Sequence, residues 1–189
     1  HARPEAFFFR LGDDAVAVGV EFFLKTFIAA GRIVFPGQGA SPPAMAALKR
    51  DGMADAVREA IAAGTPFFGV CLGLQLLLEH SEEGGVNCLG IVPGTVRRFD
   101  ESETRARTRL ETEPASATTA GSLKVPHMGW NGVKLKGEHP VFTGIPEQSY
   151  FYFVHSYYAQ PADQPVLLGT TEYGVTFCSA LARDNLVAT

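Results

Sequence analysis

The order of apolar and polar positions divides the chain into two halves of different character. In the first half, "RIVF" (Arg32–Phe35) is a short β-branched and aromatic run, closed by the turn-forming loop "PGQGAS". Asp51 is placed to cap a helix over Met53–Ala63, in which Met53, Val57, Ala60 and Ile61 recur at helical period and form one apolar face. Gly64 ends it. "PFFGV" (Pro66–Val70) is apolar without alternation, as expected of a strand covered on both faces. The following "CLGLQLLLEH" reads as one helix. This order of strands and helices predicts a parallel sheet with crossover helices.

The second half is strand-like. "GTVRRF", "NGVKLK", "YFYFVHSYYA", "VLLGTTEY" and "VTFCSALA" are short runs separated by Gly, Pro and Asp turns. Tyr173–Gly174 predicts a tight hairpin. Asp100–Ser122 is rich in Glu, Thr, Ser, Arg and Ala, and reads as a surface insertion. No internal repeat is evident. The expected fold class is α/β, a mostly parallel central sheet flanked by helices, with antiparallel strands from the C-terminal half, in one domain over residues 1–189.

Composition narrows the function classes. The 189 residues, with 46% hydrophobic and 19% charged, suit one globular domain with a real core. A net charge of −4 gives no electrostatic reason to expect nucleic acid. No apolar stretch approaches the roughly 20 residues of a membrane span, so no membrane partner is expected. Cys71, Cys88 and Cys178 are too few and too scattered for a disulfide framework or a metal knuckle. They favour a reducing compartment, the cytoplasm, with no metal and no cofactor. The start, "HARPEAFFFRLGDD", lacks a secretion signal, and the final "DNLVAT" stops within an apolar strand pattern. Both ends read as cut.

One cysteine has a distinctive setting. Gly69-Val70-Cys71-Leu72-Gly73 is G-x-C-x-G between a buried strand and a helix, the cysteine counterpart of the nucleophile elbow. Glycine on either side removes the Cβ clashes of so tight a turn. Unpaired N–H groups and the positive end of a following helix would stabilise a thiolate, and the Leu72 N–H could serve a developing oxyanion. A buried cysteine packing as a small hydrophobe is the alternative, but that role needs neither glycine. Cys88 and Cys178 lack the context and are assigned to packing.

"GVCLGLQLLLEHSEE" is very similar to the nucleophile segment of class I glutamine amidotransferases, and "FPGQGA" resembles their oxyanion loop. "VPHMGWN", "YFVHSYYA" and "GTTEY" resemble the glutaminase subunit or domain of imidazole glycerol phosphate synthase. The likeness runs from about Arg32 to Thr189, with the insertion unmatched. It implies hydrolysis of glutamine by Cys71 through a thioester, with Leu72 and the Gly37-Gln38-Gly39 backbone around the oxyanion and substrate. It further implies substrate contacts at Gln75, one helical turn after Cys71, at Glu83 for the ammonium, and at Ser156 and Tyr157 for the carboxylate. Pro126, His127, Met128 and Trp130 read alone as a core segment. The resemblance instead assigns them to the face that docks a (β/α)8 barrel cyclase, a separate subunit or a fused domain, to which ammonia passes.

A thiol nucleophile wants an imidazole held by a carboxylate. His80, nine residues along the expected helix, would lie roughly 13 Å from Cys71. His1 and His139 lack context, and His155 is the plausible neighbour, although its counterpart in the family is not the base. In the family the His and Glu follow a strand like "DNLVAT", so the resemblance places them just after Thr189, and residues 1–31 match it poorly. A fragment of an active parent, inactive alone, is the expectation. Three rivals stand beside it: another amidotransferase of the same class, a non-catalytic scaffold binding through "PHMGWN", and an elbow-type cysteine hydrolase acting on esters or peptides.

Overall fold

A computed structural model describes residues 7–8, 27, 29–100 and 124–189. The sheet begins with β1 (Phe7–Phe8), β2 (Ile33–Gly37) and β3 (Phe67–Cys71). These three are parallel neighbours, and β13 (Leu186–Ala188) joins β3 on its other side, also parallel. Antiparallel strands continue outward through β12 (Val175–Arg183), β10 (Tyr157–Pro161) and β6 (Gly94–Arg98) to the short β4 (His80–Ser81) and β5 (Val86–Asn87). The ladder of β4 with β6 is parallel. β11 (Leu167–Tyr173) and β8 (Lys134–Leu135) lie off this path, with β11 paired to β12. A separate ribbon pairs β7 (His127–Gly132) with β9 (Tyr150–His155). The expected α/β class holds, with a parallel block and antiparallel additions from the second half. Among the described residues, however, the sheet is mixed rather than mostly parallel, because the second-half strands join it through antiparallel ladders.

Two helices cover the parallel block. α2 (Met53–Ala62) is the one that the apolar spacing predicts, burying Met53, Ala54, Ala56, Val57 and Ala60, and Gly64 ends it in the left-handed region at φ 81°. Asp51 does not cap it. The capping position belongs to Gly52, and Asp51 pairs with the Arg50 guanidinium at 2.8 Å. α1 (Ser41–Arg50) was masked in the sequence by its turn-like opening. Pro42 and Pro43 fall in the first turn, where a missing N–H costs no helical bond, and Lys49 and Arg50 complement the dipole at the far end. Ala44, Met45 and Leu48 are its buried stripe.

Two other expectations need correction. The helix after Cys71 is only α3 (Leu72–Gln75). Leu76, Leu77 and Leu78 are fully buried in turns beyond it, and His80 opens β4 with its ring against Asn87. His80 therefore does not lie along a helix that starts at Cys71; it sits in β4, between β6 and the terminal β5, at the far end of the sheet order from β3. "YFYFVHSYYA" is not one strand. It breaks at Ser156 into β9 and β10, which belong to different sheets. The Tyr173–Gly174 hairpin is present, with Tyr173 opposite Val175 and Gly174 at φ 67°. The proposed insertion, apart from exposed Asp100, lies outside the described residues.

The main core packs Ile33, Phe35 and Phe67 of the parallel strands against Val57, Leu72 and the Leu76–Leu78 run. A second, aromatic cluster gathers Phe99, Tyr158 and Phe177 with Phe153 and Tyr173 beneath the ribbon. The site lies between the two clusters.

Candidate active site

Cys71 closes β3 and precedes α3 with φ 55° and ψ −112°, a backbone region that an L-residue enters at a cost of about 1–3 kcal/mol. The surrounding backbone enforces it. Gly37 lies opposite Cys71 in the β2–β3 ladder, and the Cys71 N–H donates to the Thr189 carbonyl at 2.7 Å. Glycine is required on each side. A Cβ on Gly73 would lie 2.0 Å from the Phe35 carbonyl oxygen, and one on Gly37 would lie 2.8 Å from Leu72 Cβ. At Gly69 a Cβ would crowd the Gly73 carbonyl at 3.0 Å. The elbow and the Gly37 loop therefore touch backbone to backbone.

Cys71 is exposed as a residue and lines a cavity of about 420 Å³. Burial of the sulfur itself pushes its thiol up from the ordinary value, and the Leu72 N–H hydrogen bond pulls it partly back. The expectation that the helix end would favour the thiolate is met only by the Leu72 N–H, which burial of the sulfur outweighs. Cys88 and Cys178 are buried, with thiols pushed up to about 11 and about 12 by burial, as suits packing residues.

The structure brings several predicted residues to this cavity and leaves others outside. Gln75 and Tyr157 line it, and Gln75 Nε2 donates to the Tyr157 carbonyl at 3.1 Å. Leu72 is fully buried behind the elbow, with its N–H turned to the sulfur. Gln38 and Gly39 are exposed, and Gly39 takes φ 100° where the loop turns into α1. Ser156 is half-buried at the break between β9 and β10, with its carbonyl accepting from Phe99 N–H at 3.1 Å. Glu83 is not among the cavity-lining residues. Its Oε2 accepts the Ser41 N–H at 2.6 Å and so caps α1 from across the loop.

His155 lines the cavity, yet both of its ring nitrogens are engaged elsewhere. Nδ1 faces the Tyr157 carbonyl at 2.8 Å and Nε2 faces His127 Nδ1 at 2.9 Å. It is therefore not the base of Cys71. β13 runs beside β3 with Ala188 opposite Gly69, so any residue following Thr189 emerges next to the nucleophile.

The ribbon has two unlike faces. Met128, Trp130, Tyr150, Tyr152 and Val154 all point outward and are exposed, Trp130 by 70%. Trp130 stands edge-on to Tyr152 at 5.7 Å. Pro126, exposed, precedes them after a cis Val125–Pro126 bond. His127 departs from the expectation. It is 3% exposed and points inward, stacked between Phe153 and Tyr173, because strand side chains alternate and Met128 and Trp130 already occupy the outer parity. Tyr150, Tyr152 and Val154 were missed as surface partners of Trp130. Their signal was the same alternation along "YFYFVH".

A family model described as glutamine amidotransferase class-I matches residues 22–189. Among curated relatives, the chain is 47% identical to the imidazole glycerol phosphate synthase subunit HisH of Aromatoleum aromaticum, over 85% of this chain and 70% of that one. It is 46% identical to the HisH of Neisseria meningitidis serogroup A, over 95% and 81%, and 43% identical to that of Nitrosomonas europaea, over 93% and 77%. A crystal structure of a glutamine amidotransferase shares the fold at a TM-score of 0.58 and 14% identity, covering 88% of this chain and 72% of that chain. The chain belongs to the class I glutamine amidotransferase family and, within it, to the HisH subunits of imidazole glycerol phosphate synthase.

Proposed function

We propose that this chain is the glutaminase of imidazole glycerol phosphate synthase, releasing ammonia from glutamine for a barrel cyclase in histidine biosynthesis. The observation that carries this reading is Cys71 held at positive φ between glycines that admit no side chain. The Cys71 sulfur attacks the side-chain amide carbon of glutamine, and its proton passes to a base and then to the departing nitrogen. The tetrahedral oxyanion is met by the Leu72 N–H and by backbone donors of Gly37 and Gln38. Collapse expels ammonia and leaves a glutamyl thioester, which water cleaves to glutamate while the proton returns to the thiol. Gln75 and Tyr157 hold the substrate from the cavity wall, Ser156 and Gly39 from the segments beside it, and Glu83 reaches the ammonium only by giving up the Ser41 N–H that it accepts in this structure. The base is supplied by His and Glu residues of the family pattern that follow β13, a placement favoured by the nearness of Thr189 to Cys71.

The outer face of the β7–β9 ribbon receives the cyclase. A contiguous exposed patch of aromatic and apolar side chains is uncommon on a surface that stays in water. The cavity lining includes Cys71 together with Tyr152 and Val154 of that ribbon, which favours passage of ammonia from the site toward a partner docked there. Among the described residues no helix is long and apolar enough to cross a membrane, and we place the reaction in the cytoplasm, which suits three free cysteines.

The test is ammonia release from glutamine by the full-length protein in complex with its barrel cyclase. Cys71→Ser is expected to abolish it while the complex still forms. Full activity in that variant would overturn the assignment.

A further inference from the structure

Outside the nucleophile, one partly buried group of side chains is left unexplained. Asn131, His127 and His155 form a continuous line beneath the ribbon that ends on the Tyr157 carbonyl. Its polarity can be worked out from either end. The Tyr157 carbonyl can only accept, so His155 Nδ1 carries a proton and its Nε2, in the neutral ring, accepts. At the other end, Asn131 Oδ1 accepts the Gly132 N–H at 2.8 Å and its Nδ2 donates to the Glu172 carbonyl at 2.9 Å, which fixes the amide. Nδ2 therefore also faces His127 Nε2 as a donor at 3.3 Å, and His127 carries its proton on Nδ1, toward His155 Nε2 at 2.9 Å. Both derivations give the same two tautomers. Within the line, each link donates in the direction of Tyr157, and the second Asn131 N–H is held by the Glu172 carbonyl.

That carbonyl is shared. It also accepts from Gln75 Nε2, one short helix away from Cys71. We infer that His127 and His155 are positioning residues, a neutral imidazole relay that orients the Tyr157 peptide and Gln75 at the wall of the glutamine site. The relay starts on β7, whose outer side chains are Met128 and Trp130, and ends at the cavity wall. A purely space-filling role would be met by phenylalanine in this aromatic cluster; the matched donor and acceptor directions would be superfluous. The inference rests on the glutaminase reading for its consequence but not for its geometry.

Two measurements test it separately. In the full-length protein at neutral pH, long-range proton–nitrogen NMR should show both rings as Nδ1–H tautomers. Either ring as the Nε2–H form overturns the relay whatever the enzyme does. Kinetically, His155→Phe keeps the ring volume and removes the donor, and should raise KM for glutamine about tenfold with kcat changed less than threefold. His155→Asn, which places an amide donor where Nδ1 stood, should restore most of that loss. His127→Phe, one step further from the carbonyl, should raise KM a few-fold. Equal effects of His155→Phe and His155→Asn, or an unchanged KM in all three variants, would refute it. If His155→Phe fails to fold, the comparison of His155→Asn and His127→Phe with the parent decides. A wild-type protein that does not turn over glutamine would instead defeat the functional reading and leave the tautomer test standing.

Discussion

Around Cys71 the contacts that set the geometry are made by backbone atoms, whereas in the β7–β9 ribbon they are made by rings. The strands and the short helix that flank the cysteine bring Gly37, Gly69 and Gly73 so close to neighbouring atoms that a side chain at any of them would crowd, and the Thr189 carbonyl accepts the Cys71 N–H. The ribbon is held by alternation. Its inner parity stacks His127 and Phe153 on the aromatic cluster, and its outer parity leaves Trp130 and Tyr152 exposed. A substitution in the first region should act on folding and chemistry together. In the second, stability and binding should separate cleanly by face.

The largest expected effect is at Gly73. Gly73→Ala would set a methyl group 2.0 Å from the Phe35 carbonyl oxygen, and should cost about 3 kcal/mol or more, read from the urea midpoint. Tolerance of alanine there would break the backbone half of the comparison. Trp130→Ala should weaken cyclase binding by about 2 kcal/mol, some 30-fold in Kd by calorimetry, while stability moves by less than about 0.5 kcal/mol. Asn185→Ala should cost about 1–2 kcal/mol, because Nδ2 ties the turn before β13 to the Ile61 and Thr65 carbonyls at 3.1 and 2.6 Å.

The smallest effect is a pH dependence from the inner face of the ribbon. Burial first, and the His155 ring second, lower His127 from 6.5 to about 4. The unfolded chain then binds more protons between those values, so this contribution is complete above about pH 6.5 and is lost as pH falls through about 4. His155 is lowered as well, chiefly by burial, and adds in the same direction. Tm should therefore fall by a few degrees from pH 7 to pH 5, and His127→Phe should flatten that slope. Stacking on Tyr173 rather than on any carboxylate leaves no described ion pair on the ring to reverse the sign.

How far the sequence could be read follows the same division. The elbow was legible because a G-x-C-x-G spacing after an apolar strand is a statement about backbone, and backbone decides that region. The length of α3 was not, since Leu76–Leu78 looks helical at any period. Only burial of all three in turns, with Leu77 N–H on Leu74 O and Leu78 N–H on Gln75 O, sets them apart. α1 was hidden because Pro42 and Pro43 signal a loop as readily as a first turn. The break at Ser156 was equally hidden, both flanks being good strand formers that join different sheets. His127 could have been placed by parity with Met128 and Trp130, had the stretch been treated as a strand rather than a motif.

The central claim is that Cys71 is the nucleophile toward a carboxamide, and a glutamine-derived diazoketone tests it most directly in the full-length protein. Peptide mapping should find the label on Cys71, suppressed by excess glutamine, with Cys88 and Cys178 unmodified. Equal labelling of the three thiols, or labelling that glutamine does not protect, would contradict it.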